Sequence, residues 1–579
     1  MLPDSFPLHL DWANPLGLPP AFVFFAGAAL LLLAGGRKRH GLQQIVLCLV
    51  PLAGVVNLLT LEPGTAFVWR VLQFDLVLLR VDRLSMLFGL LFHLGAMIGV
   101  VYSLRVRDTT QHVAALLYAG SALGAVFAGD LISLFFYWEG MAVSSAFLVW
   151  AGRTPESNGA GLRYLAVHLT SGLLLLAGAL IHYQSSGTIA FDFIGTESTA
   201  GALILLAFGI KCGFPFLHSW ITDAYPESTP GGTVFLSMFT TKVAVYALAR
   251  GFPGTEILVP VGTLMALFPI FYAVIENDLR RVLGYSMINQ IGFMVVGVGI
   301  GTELALNGAV AHAFNEVLFK GLLFMTMGAV LLRVGHVLGS DLGGLYKSMP
   351  RTTLFCVVGA ASISAFPLFN GFVSKSMIMA AMIEQGYTIG WLGLLFASAG
   401  VFHHAGIKIP YFAFFGHDSG LRVAEAPRNM LLAMGIAAAL CILTGAFPTV
   451  LYGLLPWEVD YVPYTYAHVL AQLQLLLFSA LAFAWLNLVG VYPPELRSVN
   501  LDADWLYRRL GLRMALTAAG ALDSASRLFV QPLKNNGRRF RQALSPGSLL
   551  ARSAETGTAA LLVGTMLAGY LLVYYITSW

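Results

Sequence analysis

Apolar runs of about twenty residues, separated by short polar links, recur along nearly the whole chain. A run of that length suffices to cross the hydrocarbon core of a bilayer as a helix. About sixteen such runs can be placed, centred near Ala28, Val50, Phe92, Ala122, Gly140, Leu173, Gly209, Phe239, Ala266, Val295, Phe319, Pro367, Ala397, Ala437, Ser479 and Gly564. The pattern predicts an all-α, polytopic membrane protein. One long stretch departs from it: Tyr492 to Thr556 is polar and basic. Leu506, Leu510 and Met514 recur there every four residues, with Arg508 on the opposite face and Arg509 and Arg513 flanking. This spacing predicts an amphipathic helix at the cytoplasmic interface, with a solvated linker as the plainer alternative.

The links carry the orientation, because Lys and Arg accumulate on the cytoplasmic side. Arg37, Lys38 and Arg39 fill the first link. Alternate links after it hold Arg105 and Arg107, then Arg153, then Arg280 and Arg281, then Arg333, Lys347 and Arg351, then Arg422 and Arg428. Those between are mostly acidic or neutral, with Asp130, Asp192, Glu197, Glu303, Glu384, Glu458 and Asp460. An even number of crossings puts both termini outside the cytoplasm. The link with Arg70, Arg80 and Arg83 runs against the trend.

Composition sharpens the class. Of 579 residues, 58% are hydrophobic and 11% charged, about half the charged share of a soluble domain. The formal charge of +4 says little, since the basic residues cluster in a few links. Cys48, Cys212, Cys356 and Cys441 all fall inside apolar runs with no close spacing, which reads as inert thiols rather than disulfides or a zinc site. No basic stretch precedes the first apolar run, so no cleaved signal peptide is expected.

Ionisable residues inside the runs carry the functional signal. A charge at the bilayer centre costs about 3 kcal/mol on insertion scales. Lys211 lies within Leu203 to Trp220 with Pro215 four residues on, and Lys242 sits in the next run. Proline frees backbone groups, which are tolerated at depth only where protein or a water-filled cavity receives them. Glu139, in LISLFFYWEGMAVSSAFLVW, is the candidate counter-charge for a lysine on another helix. Burial disfavours a charged amine and a nearby carboxylate favours it, so changing their separation switches proton affinity. Lys242 has a plainer reading too, as a lysine snorkelling to an interface.

His312, Glu316 and Lys320, in AHAFNEVLFKGLLF, stand at i, i+4 and i+8 on one helix face, about 6 Å apart along the axis. That stack suits a proton relay; a structural network or a metal site is the alternative, although no further ligand accompanies it. Lys375 follows a second interruption, ISAFPLFNGFVSKSM, at Pro367 and Gly371. His404 and Lys408, in GVFHHAGIKIPYFAFF, share a face and either continue the path or tie the helix down. His93, His168 and His218 read more readily as hydrogen-bonded core than as relay. No P-loop, dinucleotide fingerprint or iron–sulfur cysteine set occurs, so no cofactor or metal is expected, and energy coupling must come from an ion gradient or a partner.

Several of these stretches resemble the antiporter-like subunits shared by respiratory complex I and the multisubunit Mrp cation/proton antiporters. The carriers are GIKCGFPFLHSWITDAYPESTP, NDLRRVLGYSMINQIGFM, HAFNEVLFKGLLF and FPLFNGFVSKSM. EAPRNM and YPPELRSVNLDADWLYRR are most similar to the stand-alone D-type proteins of Mrp antiporters, and the resemblance spans roughly Asp82 to Arg509. It implies two inverted five-helix repeats, each with a broken helix and each half of a proton channel. The implied organisation is 1–110 as an N-terminal three-helix segment, 111–250 and 251–415 as the repeats, and 416–491 as two added helices. Residues 492–555 would be the interfacial segment and 556–579 the last crossing.

By that resemblance Glu139 and Lys211 are the carboxylate–lysine pair of the first half, and Lys242 a connecting lysine. Lys320 is the central lysine, His312 the histidine two turns before it, and Lys375 the basic residue at the second break. Three positions depart from the family pattern: Glu316 stands where many relatives have histidine, Ser376 where aspartate is frequent, and Thr222 where proline follows HSW. The implied function is proton translocation in a bacterial inner-membrane Na+/H+ antiporter, beside other membrane subunits and lipid, with no nucleic acid. A coupling component of a quinone reductase, membrane hydrogenase or inorganic-carbon uptake system is the alternative. A membrane-embedded enzyme would have only His403 and His404 to draw on.

Overall fold

The computed structural model describes residues 17–33, 40–493, 495–497, 500–511, 513–514, 516–524, 526, 565–567 and 569–570. Arg37, Lys38 and Arg39, and most of the expected last crossing around Gly564, lie outside the described residues. The chain divides into two compact units, Met1–Asp502 and Ala503–Trp579.

Helices dominate the first unit. In order they are α1 (Pro20–Leu33), α2 (His40–Leu58), α3 (Arg83–Ser103), α4 (Thr109–Phe127), α5 (Leu131–Trp150), α6 (Pro155–Ser186), α7 (Thr199–Cys212) and α8 (Ser219–Ala224). Next come α9 (Pro230–Met238), α10 (Thr240–Gly251), α11 (Leu258–Ile275), α12 (Leu279–Ile300) and α13 (Glu303–Val334). The remainder are α14 (Pro350–Ile363), α15 (Asn370–Glu384), α16 (Thr388–Val401), α17 (Lys408–Pro410), α18 (Arg428–Ala446), α19 (Pro448–Tyr452) and α20 (Tyr466–Leu488). Among the described residues, eleven helical stretches are long and apolar enough to cross a membrane, and α1, α7 and α14 are shorter apolar helices.

The link that defied the charge trend is not a loop. It is an antiparallel hairpin, β1 (Gly64–Val71) with β2 (Phe74–Val81), paired from Gly64↔Val81 to Val71↔Phe74. The Asp130 carboxylate accepts from the Val77 amide at 2.7 Å and pins it to the bundle. In β2 Leu76, Leu79 and Val81 are buried, a spacing of three and then two that gives no clean alternation to read.

Helix ends follow ordinary capping chemistry. Asp82 and Thr154 form capping boxes with Ser85 and Ser157, and Asp108, Asp130, Asp278 and Thr302 cap α4, α5, α12 and α13. Two stretches share one succession. A helix capped by Asp130 or Asp278 is followed by a 32-residue helix, α6 or α13. An isolated bridge returns to the capping aspartate, Asp130↔Ala190 or Asp278↔Leu338. A 14-residue half-helix, α7 or α14, then ends in a break. Between the breaks lie α10, buried throughout, and α12 and α13, buried over most of their length.

In the second unit the described residues include a π-helical turn, Leu506–Gly511. Leu506, Leu510 and Met514 are all exposed, and Arg508 pairs with Asp504 at 2.5 Å.

Candidate functional site

Both expected helix breaks are present. At the first, α7 ends at Gly213 in the left-handed conformation (φ 77°), and Pro215 lies in the connection to α8, where Phe216 also has positive φ (68°). At the second, Pro367 lies between α14 and α15, flanked by Ala365 (φ 57°) and Leu368 (φ 75°). Gly371 does not interrupt the helix as expected. It occupies the first turn of α15, where a Cβ would lie 1.9 Å from the Ser362 carbonyl oxygen; close backbone approach is why the residue is glycine.

Lys211 is completely buried. Its ammonium donates to the Trp138 carbonyl at 2.6 Å and lies 4.2 Å from the Trp138 ring centroid, a cation–π arrangement worth about 2 kcal/mol when desolvated. Glu139 is the next residue along α5. Its carboxyl rests on Gly172 of α6, where a Cβ would fall 1.5 Å from Oε1. Lys211 and Glu139 are near enough to interact electrostatically, but they form no contact ion pair among the described residues. The two side chains are neighbours without the direct contact that a pair would make.

Lys242 is no snorkelling lysine, because it is wholly enclosed near the N-terminus of α10. It makes a direct ion pair with Glu316 of α13 and donates to the Ser237 carbonyl at 3.0 Å and Thr241 Oγ1 at 3.2 Å. Glu316 therefore faces across to another helix instead of serving only its own stack. Four residues on, Lys320 donates to Ser286 Oγ at 2.8 Å. His312 is joined through Nδ1 to Ser374 Oγ at 2.9 Å, which connects α13 to α15. Lys375 donates to the Ile363 carbonyl at 2.8 Å and lies 5.1 Å from the Phe293 ring centroid.

His404 and Lys408 stay within electrostatic range of each other, on a helix that is π-wound over Phe402–Ile407 and Tyr411–Phe415. His404 is buried and also within electrostatic range of Lys320. Lys408 donates to the carbonyls of Val274 and Glu276 at 2.6 and 2.7 Å and pairs with Glu495 at 2.8 Å. Those contacts tie its helix to the end of α11 and to Glu495. Burial pushes the Glu495 carboxyl above its ordinary value while Lys408 opposes it.

Glu495 belongs to a strap that sequence reading did not mark as part of the site. Beyond Glu495, Asn500 donates to Glu276 at 3.1 Å, Arg497 pairs with Asp341, and Asp502 receives Tyr285 at 2.8 Å and meets His218 at 3.1 Å. His93 is also hydrogen-bonded, to the Gly89 carbonyl at 2.7 Å. His168 differs from both: it is completely buried, and neither ring nitrogen has a hydrogen-bond partner among the described residues. It packs on Tyr164 and Trp220, 4.1 and 4.4 Å between centroids, within electrostatic range of Lys211. Tyr164 bonds Ser145 at 2.8 Å, and Tyr118 bonds Thr240 at 2.6 Å where α10 begins. These hydroxyls cluster where α10 begins, and no charge in the sequence signals them.

Fold and buried charges together define a multi-pass membrane protein organised around amines enclosed between two helix breaks. Residues 128–402 match the transmembrane family described as NADH:quinone oxidoreductase/Mrp antiporter. That stretch is similar to the antiporter-like subunits shared by complex I and Mrp antiporters, the family its motifs resemble. Hydrogenase-4 component B of Escherichia coli is 28% identical over 481 residues, covering 73% of this chain and 70% of that one. The D-type component of the Na(+)/H(+) antiporter of Alkalihalophilus pseudofirmus is 27% identical over 444 residues, covering 70% and 88%. The A-type component from the same organism is 29% identical over 424 residues, covering 64% of this chain and 52% of the relative's length.

Two solved structures share the fold. The membrane-bound sulfane sulfur reductase, an archaeal respiratory complex, matches with a TM-score of 0.70 at 24% identity, covering 96% of this chain and 100% of its own. The Mrp complex from a Dietzia species matches at 0.68 and 22%, covering 82% and 99%.

Proposed function

We propose that this chain is a proton-translocating subunit of a multisubunit Na+/H+ antiporter in a bacterial cytoplasmic membrane. The observation that carries the reading is the ion pair of Lys242 with Glu316, fully enclosed and joining α10 to α13. A buried pair of that kind is a poor device for stability, since desolvation offsets most of the attraction. As a proton-exchange station it is well placed.

A proton taken up at Lys211 is retained while Glu139 stays close. When Glu139 swings away, the amine releases its proton past His168 and the Tyr164 and Thr240 hydroxyls to the Lys242–Glu316 pair. Lys320 and His312 receive it next through bound water, and it leaves at Lys375, with His404 as a side branch. Glu139→Ala and Lys211→Ala, each in inverted vesicles containing the assembled complex, abolish pH-gradient-dependent transport. Near-normal rates in both variants defeat the reading.

A second reading has an observation of its own. The relatives include a hydrogenase component, and the fold matches a chain of the sulfur reductase over nearly its whole length. In that case the same path couples proton flow to a partner's redox chemistry. Identifying the chains that co-purify with the native protein separates the two.

A further inference from the structure

Lys375 lies against a cavity of about 350 Å³, room for roughly ten waters. Its polar lining comes from three helices: Lys375, Ser376 and Glu384 of α15, Ser398 of α16, and His468 and Gln472 of α20. One end is the buried amine, 3% exposed, and the other is Glu384 at the surface. Lys375 and Glu384 are nine residues apart on one helix, about 13 Å along its axis, too far for direct transfer. Ser376 turns its hydroxyl to the Val373 carbonyl at 2.9 Å, so no carboxylate stands beside the amine where aspartate is frequent in relatives. Tyr461 approaches His468 Nδ1 at 3.4 Å and lies within hydrogen-bonding reach of Ser376.

We propose that His468 is the proton acceptor for Lys375 in this chain, passing the proton to Glu384 and out of the membrane. The inference rests on the proton-path reading above and assigns its outlet. An N–H bond of the Lys375 ammonium breaks as one forms on the imidazole through cavity water. The imidazolium, oriented by Tyr461, then gives its proton to the Glu384 carboxylate or to bulk water.

The assembled complex in inverted vesicles tests this. His468→Ala is expected to lower pH-gradient-dependent transport at least tenfold and to shift its pH profile. Adding Ser376→Asp, which places a carboxylate beside Lys375, is expected to restore at least half of the rate. Unchanged transport in His468→Ala overturns the proposal. So does a loss that Ser376→Asp leaves unrepaired, since the imidazole then only fills space beside lipid chains. Lys211→Ala runs in parallel: a wild-type rate there sinks the path itself, and a lost rate confines any failure to the outlet.

Discussion

At the first break the half-helix α7 carries Lys211 as its penultimate residue; at the second, the matching half-helix α14 ends in Ser362 and Ile363, and Lys375 rides on the half-helix that follows. Both amines are anchored by a backbone carbonyl and an aromatic ring. Among the described residues a carboxylate, Glu139, comes near Lys211, while Lys375 lies against a cavity lined by His468 and Glu384. In the proposed path the first break is the gate, with a carboxylate near its amine, and the second is the outlet, with a cavity and an imidazole within reach.

The largest test acts on the pair between the breaks. Glu316→Ala strands Lys242 without a counter-charge, and a broken buried pair costs about 3–5 kcal/mol. Thermal unfolding of the purified complex should show that loss, with transport abolished; an unchanged melting temperature would mean Lys242 finds another partner. Next, the two close-packed glycines separate the halves. Gly371→Ala meets a carbonyl oxygen that cannot move aside, so a stability loss of about 2–3 kcal/mol is expected. Gly172→Ala meets only the end of the Glu139 side chain, and melting should barely change while transport falls about tenfold. Equal melting losses in both would erase the distinction between a structural and a gating contact. The smallest effect is at Ala365, a non-glycine residue at φ 57°. Ala365→Gly relieves left-handed strain and should stabilise by about 1 kcal/mol, read as a small rise in melting temperature.

Most of the helical architecture was legible because period and length both point to membrane crossings, and both breaks were announced by proline. The hairpin was missed because its eight-residue strands sit between long apolar runs and carry arginines that read as a polar link. Lys211, Lys242, Glu316 and Lys375 stood out as charges in apolar surroundings. Their partners did not: the Trp138 carbonyl, Ser286 and Ser374 are ordinary residues until the fold brings them to an amine. His404 and Lys408 kept the proximity that their spacing promised, whereas the π-winding of their helix had no signal in the sequence. His168 had the weakest sequence signal of the buried histidines beside the path, and only its surroundings distinguish it from His93.

The strap from Glu495 to Asp502 is fastened at one end to the π-wound helix and at the other to His218 beside the first break. Two halves laced together along one edge cannot rock apart there, as carriers of bulky solutes do when they expose a site alternately to each side. Under the proposed function this suits a cargo as small as a proton, which needs only side-chain swings and rearranging water.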